Sequence, residues 1–242
     1  MPGDKVFNDG AKTMVSALTP LADSLQMGAR VYKVLANSIV TGNAAPGTQL
    51  RPDVIARQLE VSTTPVREAM HRLEADGLAV KVPYQGWFVR EFSEKEIRDL
   101  YEFRTTLERL GIRLACQRLG AEDVRWMRKH QLVGKAAIKA KNLEEYRAYN
   151  RDFHQAILRI ADNSYLTSAM AQVALQSELL AARTISMLER PSRAVAEHGR
   201  VIDLMEKQEV EEAEKAMEAH ILSAMEAILS SYQPLAAGAA RR

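Results

Sequence analysis

The 242-residue chain is 47% hydrophobic and 26% charged, and its 33 Lys and Arg face 31 Asp and Glu, for a net charge of +2. That length accommodates two domains with a core each. No run nears the roughly 18 apolar residues of a membrane span, the start lacks a basic-then-apolar export signal, and one cysteine, Cys116, excludes an internal disulfide framework. The expectation is a cytoplasmic protein without a membrane partner, with Cys116 a small buried hydrophobe.

Residues 1–24 show no sustained period and read as a loose tail, with at most a helical turn near 14–18. A first helix is expected over 30–40, with Val31, Val34, Leu35 and Ile39 inward and Gly42-Asn43 ending it. Beyond Pro46 the pattern becomes denser. A short helix is expected over 52–59, a tight turn at Glu60-Val61, and a second helix opening at 62–65. Ser62 or Thr64 can cap that helix, and Pro65 falls in its first turn, where a missing N–H costs nothing. Val66, Met70 and Leu73 form one apolar stripe, which leaves Ser62, Thr63, Thr64, Arg67 and His71 facing outward.

Two helices joined by a three- to four-residue turn, the second presenting short polar and basic side chains at its N-terminus, make a DNA-reading helix-turn-helix. An apolar hairpin with Tyr84-Gln85-Gly86 at its tip supplies a wing. The expected DNA contacts are Arg57, Ser62, Thr63, Thr64, Arg67 and Gln85, with Gly86 allowing close backbone approach. His71, one turn after Arg67, is either a phosphate contact or a solvated surface group. Residues 25–92 carry eight Lys and Arg against six Asp and Glu. So small an excess gives modest non-specific affinity per protomer, and a homodimer is expected to bind double-stranded DNA.

Pro46-Gly47, Leu50, the run Val61-Ser62-Thr63-Thr64-Pro65-Val66-Arg67-Glu68-Ala69, Leu73, Gly77-Leu78 and Gly86 resemble the winged-helix signature of the GntR superfamily of bacterial transcription regulators. The resemblance implies an operator-binding regulator rather than an enzyme. Thr63 stands where many relatives carry an arginine.

Ser93 and Glu96 have capping-box spacing and open a long helical half. Helices are expected over 94–118, 121–140, 143–161, 164–188, 192–207 and 210–231, with breaks at Asp162-Asn163 and Pro191. The fold class expected is mainly α. A winged helix-turn-helix with a small β wing (25–92) precedes an all-α helical bundle that binds a ligand and dimerises (93–232), and 233–242 form a frayed tail.

Three histidines lie on inward stripes of three of these helices. His154 shares a face with Ile157, Leu158 and Ala161, His198 with Val195, Val201, Ile202 and Met205, and His220 with Ala213, Met217 and Ala224. Asn150 precedes His154 by one turn on the same face. Neutral imidazoles plus an amide oxygen suit zinc or nickel. The alternative is three core histidines, each satisfied locally. Arg104 shares a stripe with Ile97, Leu100, Tyr101, Leu107 and Glu108, and a buried arginine needs an anion. It pairs either with Glu108 or with a carboxylate ligand held bidentately. His130 lies outside this set, and Asp152 points to another side of its helix.

Tyr101-Glu102-Phe103-Arg104 with Leu107-Glu108, Asn150 with Phe153-His154, Glu197-His198 and His220 resemble the all-helical effector domain (FCD-type) of the FadR-like branch of that superfamily. The resemblance implies a divalent metal, zinc or nickel, held by Asn150, His154, His198 and His220, with a small organic acid on Arg104. Asn150 stands where many relatives carry aspartate. Two other readings stay open: a metal-dependent hydrolase fused to a DNA-binding domain, against which no His-Glu-x-x-His motif appears, and a constitutive DNA-binding factor with a structural metal.

Overall fold

The computed structural model describes residues 22–182, 184 and 189–231, and the expected turn near 14–18 and tail over 233–242 lie outside them. Helix α1 (Ala22–Val40) starts well before the expected position 30. It ends at Gly42, whose φ of +83° is a backbone conformation that penalises any Cβ. Val31, Leu35 and Ile39 are buried as expected, but Val34 is 52% exposed. The apolar stripe of α1 runs through Val31, Tyr32, Leu35, Ala36 and Ile39 instead, and Val34 lies off that stripe.

Helices α2 (Pro52–Gln58) and α3 (Thr63–Ala75) form the two arms of the helix-turn-helix, with Glu60 at φ +54° turning the chain between them. Ser62 takes the N-cap position of α3, but its side chain makes no cap hydrogen bond, so the expected cap is absent and the hydroxyl stays available. Val66, Met70 and Leu73 are fully buried beneath α3. The wing pairs β2 (Ala79–Val82) with β3 (Gly86–Val89), Val80 opposite Phe88. A further strand, β1 (Gln49–Leu50), pairs antiparallel on the far side of β3 and gives the order β1-β3-β2. Its two residues are too few to show an alternation.

The helical half comprises α4 (Glu94–Arg118), α5 (Ala121–Ala140), α6 (Leu143–Ala161), α7 (Ser164–Ala181), α8 (Glu189–Glu206) and α9 (Val210–Ser231). Four of these, α4, α5, α6 and α9, begin and end where expected. Ser93 and Glu96 close the capping box of α4, Asn142 accepts from Glu145 N, and Asp162 turns left-handed before Asn163 caps α7. Helix α7 ends at 181 rather than 188. Pro191 does not break the chain ahead of α8; it sits in that helix's first turn, where no intrahelical donor is needed.

One apolar core runs through both halves, from Leu35 and Met70 through Phe92, Ile97 and Tyr101 to Met217. Three side chains of the helical half reach carbonyls at helix ends of the winged half. Gln172 Nε2 donates to Ala75 O at 2.9 Å, Gln176 Nε2 to Asp76 O at 3.3 Å, and Arg147 Nη1 to Val40 O at 2.7 Å. The first two hold the C-terminus of α3, the third that of α1. None of the described helices is long and apolar enough to cross a membrane.

Candidate metal centre and nucleic-acid interface

Along α3, burial of Val66, Ala69 and Met70 forces the intervening side chains outward, and Ser62, Thr63, Thr64 and Arg67 are exposed. Arg67 pairs with no carboxylate among the described residues. Arg57 is exposed on α2 and holds only Asp53, at 3.6 Å. His71 fits neither half of its expectation fully. It is exposed, yet its ring meets Trp87 edge-on at 5.1 Å and its Nδ1 lies 3.6 Å from Glu74 Oε2, so it braces α3 against the wing. At the wing tip Gln85 is exposed, its carbonyl held by Gln49 Nε2 at 2.8 Å, and Gly86 turns at φ +101°. The candidate DNA contacts Arg57, Ser62, Thr63, Thr64, Arg67 and Gln85 are therefore all exposed to solvent.

The helical half buries its polar groups. His154 on α6, His198 on α8 and His220 on α9 are 6%, 0% and 2% exposed. Each offers a ring nitrogen within 4.8 Å of the other two. The Nε2 atoms of His198 and His220 are 3.2 Å apart. Metal–nitrogen bonds of about 2.0–2.1 Å give a tetrahedral edge of roughly 3.3 Å, so this pair fits a zinc-like ion. The opposite nitrogens have orienting partners: Tyr149 Oη lies 3.1 Å from His198 Nδ1, and Glu197 Oε2 accepts from His220 Nδ1 at 2.7 Å. Glu108 Oε1 lies 2.9 Å from His154 Nδ1 but is poorly aligned for a hydrogen bond, and Glu108 Oε2 has no partner among the described residues. Partners of this kind fix the tautomer and aim of metal-ligating imidazoles.

Electrostatics agree with that donor set. Burial, against the pull of Glu197, takes the pKa of His220 down to about 4. Burial and the neighbouring His220 and His154 hold His198 well below its ordinary value. Both rings are therefore neutral at pH 7, the form a cation requires. Burial alone would raise the Glu108 carboxyl, but His154, Arg104 and His220 together hold it at about 2. Burial likewise pushes Glu197 up, and His220 and Arg190 more than offset it.

Arg104 pairs with Glu108, the first of its two expected roles, and it does so on the wall of a cavity. Its Nη2 lies 3.3 Å from Glu108 Oε1 and 3.4 Å from His154 Nε2, and the side chain lines a cavity of about 260 Å³. Asn150, His154 and His220 line the same cavity, as do Asn37 of α1 and Thr41 just beyond its end. His198 lies behind the wall, with Phe153 stacked on its ring at 3.7 Å. His130 stays outside: it stacks on Trp126 at 4.6 Å and faces Asp152 at 3.8 Å, which accounts for Asp152 as well. Cys116 is buried as expected.

The supporting groups Tyr149, Glu197 and Arg190 were not anticipated. Glu197 precedes His198, so it leaves α8 in a different direction and reaches a histidine on another helix. Arg190 Nη1 secures it at 2.9 Å. Only the adjacency of Tyr149 to Asn150 and of Glu197 to His198 hinted at them.

Residues 27–89 match the family described as bacterial regulatory proteins, gntR family, and residues 99–223 match the FCD domain. An uncharacterised HTH-type transcriptional regulator in the TAR-I ttuE-ttuC' intergenic region of Agrobacterium vitis is 34% identical over 167 residues, covering 66% of this chain and 97% of that protein. The HTH-type transcriptional repressor RspR of Escherichia coli (strain K12) is 23% identical over 210 residues, 87% of this chain and 92% of the repressor. Among solved structures, E. coli McbR/YncC superposes with a TM-score of 0.76 at 19% identity, over 86% of this chain and 99% of its own.

Proposed function

The chain belongs to the GntR family of bacterial transcriptional regulators and carries an FCD domain, and from that premise we infer that its hold on operator DNA is set by a small organic acid bound at the histidine cavity. Two protomers place α3 in successive major grooves, where Ser62, Thr63, Thr64 and Arg67 meet base edges and phosphates. Arg57 and the Gln85-Gly86 tip reach the flanking backbone, with His71 positioning the wing.

The reading is carried by three clustered buried imidazoles, two of which, His154 and His220, share with Arg104 the wall of a cavity that also touches α1. A divalent ion held by His154, His198 and His220, with the Asn150 oxygen as a neutral fourth donor, supplies a Lewis-acidic anchor for a carboxylate oxygen. Arg104 stands 3.4 Å from His154 Nε2, so such an ion and the guanidinium would repel each other. A carboxylate between them screens both charges and takes the guanidinium fork. That combination calls for an acid.

The winged half's small positive excess supports pairing of two copies. Leu110 on α4 and Leu222 on α9 are exposed on one groove that Arg98, Arg113 and Glu218 also line. We assign this self-complementary mixture to the partner copy. Leu110→Arg is expected to sediment as a monomer at micromolar concentration; an unaltered dimer would place the interface elsewhere.

The direct test of the site is metal analysis of protein purified without a nickel column. About one zinc or nickel per chain is expected, lost in His220→Ala, and carboxylic acids should raise the melting temperature only when metal is bound. Stoichiometry far below one, unrestored by added zinc or nickel, would reduce the triad to core histidines. Consumption of a bound acid would make the site enzymatic.

A further inference from the structure

Helix ends leave their last carbonyls without intrahelical donors. At the end of α1, the amides of Thr41, Gly42 and Ala44 take Asn37 O, Ile39 O and Ser38 O. Val40 O is taken instead by Arg147 of α6, at 2.7 Å. A cation is favoured there by the helix dipole. Among the described residues Arg147 has no carboxylate in ion-pair range and no other hydrogen-bond partner, which leaves most of its five donors unused. Burial holds its pKa below the ordinary value.

The position of Arg147 on α6 gives this tie a second meaning. Arg147, Asn150, Arg151 and His154 follow one another at helical spacing and all line the cavity. The stripe they form runs from the histidine cluster to the end of α1. Arg147 and His154 are seven residues apart, about 10 Å along the axis. With a charge-assisted hydrogen bond of about 2.8 Å at each end, a short ligand can bridge the two positions. A diacid of four to six carbons, with carbon–carbon bonds of about 1.5 Å, is such a ligand.

We propose that Arg147 is a second anion-binding residue of the cavity and the link from ligand to DNA: a dicarboxylate seated at Arg104 and His154 places its far carboxylate on Arg147, draws the guanidinium off Val40 O and frees the end of α1. A monocarboxylate fills only the deep end and leaves the tie intact. The proposal rests on the acid-binding reading above and adds the ligand class and the coupling residue. Glu144 and Glu178 on the same wall oppose a second anion. Arg151 beside them lessens that repulsion. Gln172 and Gln176 are not on the cavity wall, so they keep α3 anchored to α7 while α1 is released, and the winged half pivots about α7.

The test uses the full-length, metal-loaded protein, calorimetry with succinate, malate and adipate against butyrate, and amide hydrogen exchange. The diacids are expected to bind at least about tenfold tighter than butyrate and to speed exchange at Thr41, Gly42 and Ala44, which butyrate does not. Arg147→Met should show that fast exchange without ligand and lose the preference. Arg147→Lys, which keeps the charge but not the fork, should fall between and carries the comparison if the methionine variant does not fold. Equal affinity for succinate and butyrate, or a preference that survives in the Arg147 variants, would overturn the proposal and leave the acid site standing. If neither kind of acid binds, both fall together.

Discussion

The proposed recognition helix and the histidine cluster are built in opposite ways. On α3 the packing residues Val66, Met70 and Leu73 lie beneath, and the candidate DNA contacts Ser62, Thr63, Thr64 and Arg67 stand in water, each on its own. In the cluster, His154, His198, His220, Arg104 and Glu108 are themselves part of the core, and each is held by another polar group. Function can be stripped from the first surface with the fold untouched. In the second, the proposed function and the stability rest on the same contacts.

The sharpest break in that comparison is Glu108→Gln. It leaves Arg104 and His154 without their buried counter-charge, and removing one partner of a buried pair costs about 3–5 kcal/mol. Urea unfolding at pH 7 measures it; a loss under about 1 kcal/mol would mean that solvent reaches the pair.

The next largest effect is on acid stability without metal. His220 titrates near 4 in the folded chain against 6.5 for a free imidazole, so the unfolded chain binds the extra proton in that window. Stability is therefore present above pH 6.5 and falls towards pH 4, by about 3 kcal/mol from this group. Glu108 continues the decline between 4.5 and about 2. Metal-free unfolding free energies that stay flat from pH 6.5 to 4 would contradict the neutral, buried imidazole.

Glu197→Gln probes the cluster more gently. The amide still reaches His220 Nδ1 but no longer pulls on its proton, and metal affinity should drop roughly 10- to 100-fold. Competition with a chelating dye reads this; an unchanged affinity would make Glu197 a partner of Arg190 alone. On α3, Arg67→Ala should weaken operator binding by about 1–3 kcal/mol while moving stability by no more than about 0.5 kcal/mol. Anisotropy with labelled operator and a thermal melt together check it, and a large stability loss would place Arg67 in the core.

The same contrast explains what sequence reading could reach. Caps and turn residues are local signals, so the bounds of α4, α5, α6 and α9 and the turns at Glu60 and Asp162 were legible. So were the outward rim of α3 and the inward faces of the three histidines, because helical periodicity states them directly. Contacts between distant segments were not. Strand β1 exists only through β3, Val34 faces solvent because α1 settles on α3 and α7 by another stripe, and Pro191 is tolerated because it falls in the first turn of α8. Tyr149, Glu197 and Arg147 acquire their parts from neighbours 23 to 107 positions away.

The account stands on coupling between the buried cluster and the exposed rim. The most direct measurement is operator affinity of the metal-loaded dimer with and without an acid that raises its melting temperature, in the native chain and in His220→Ala. A shift of about tenfold or more, near 1.4 kcal/mol of coupling, is predicted for the native chain and none for the variant. An acid that binds yet leaves operator affinity unchanged, or that acts equally on His220→Ala, would contradict it.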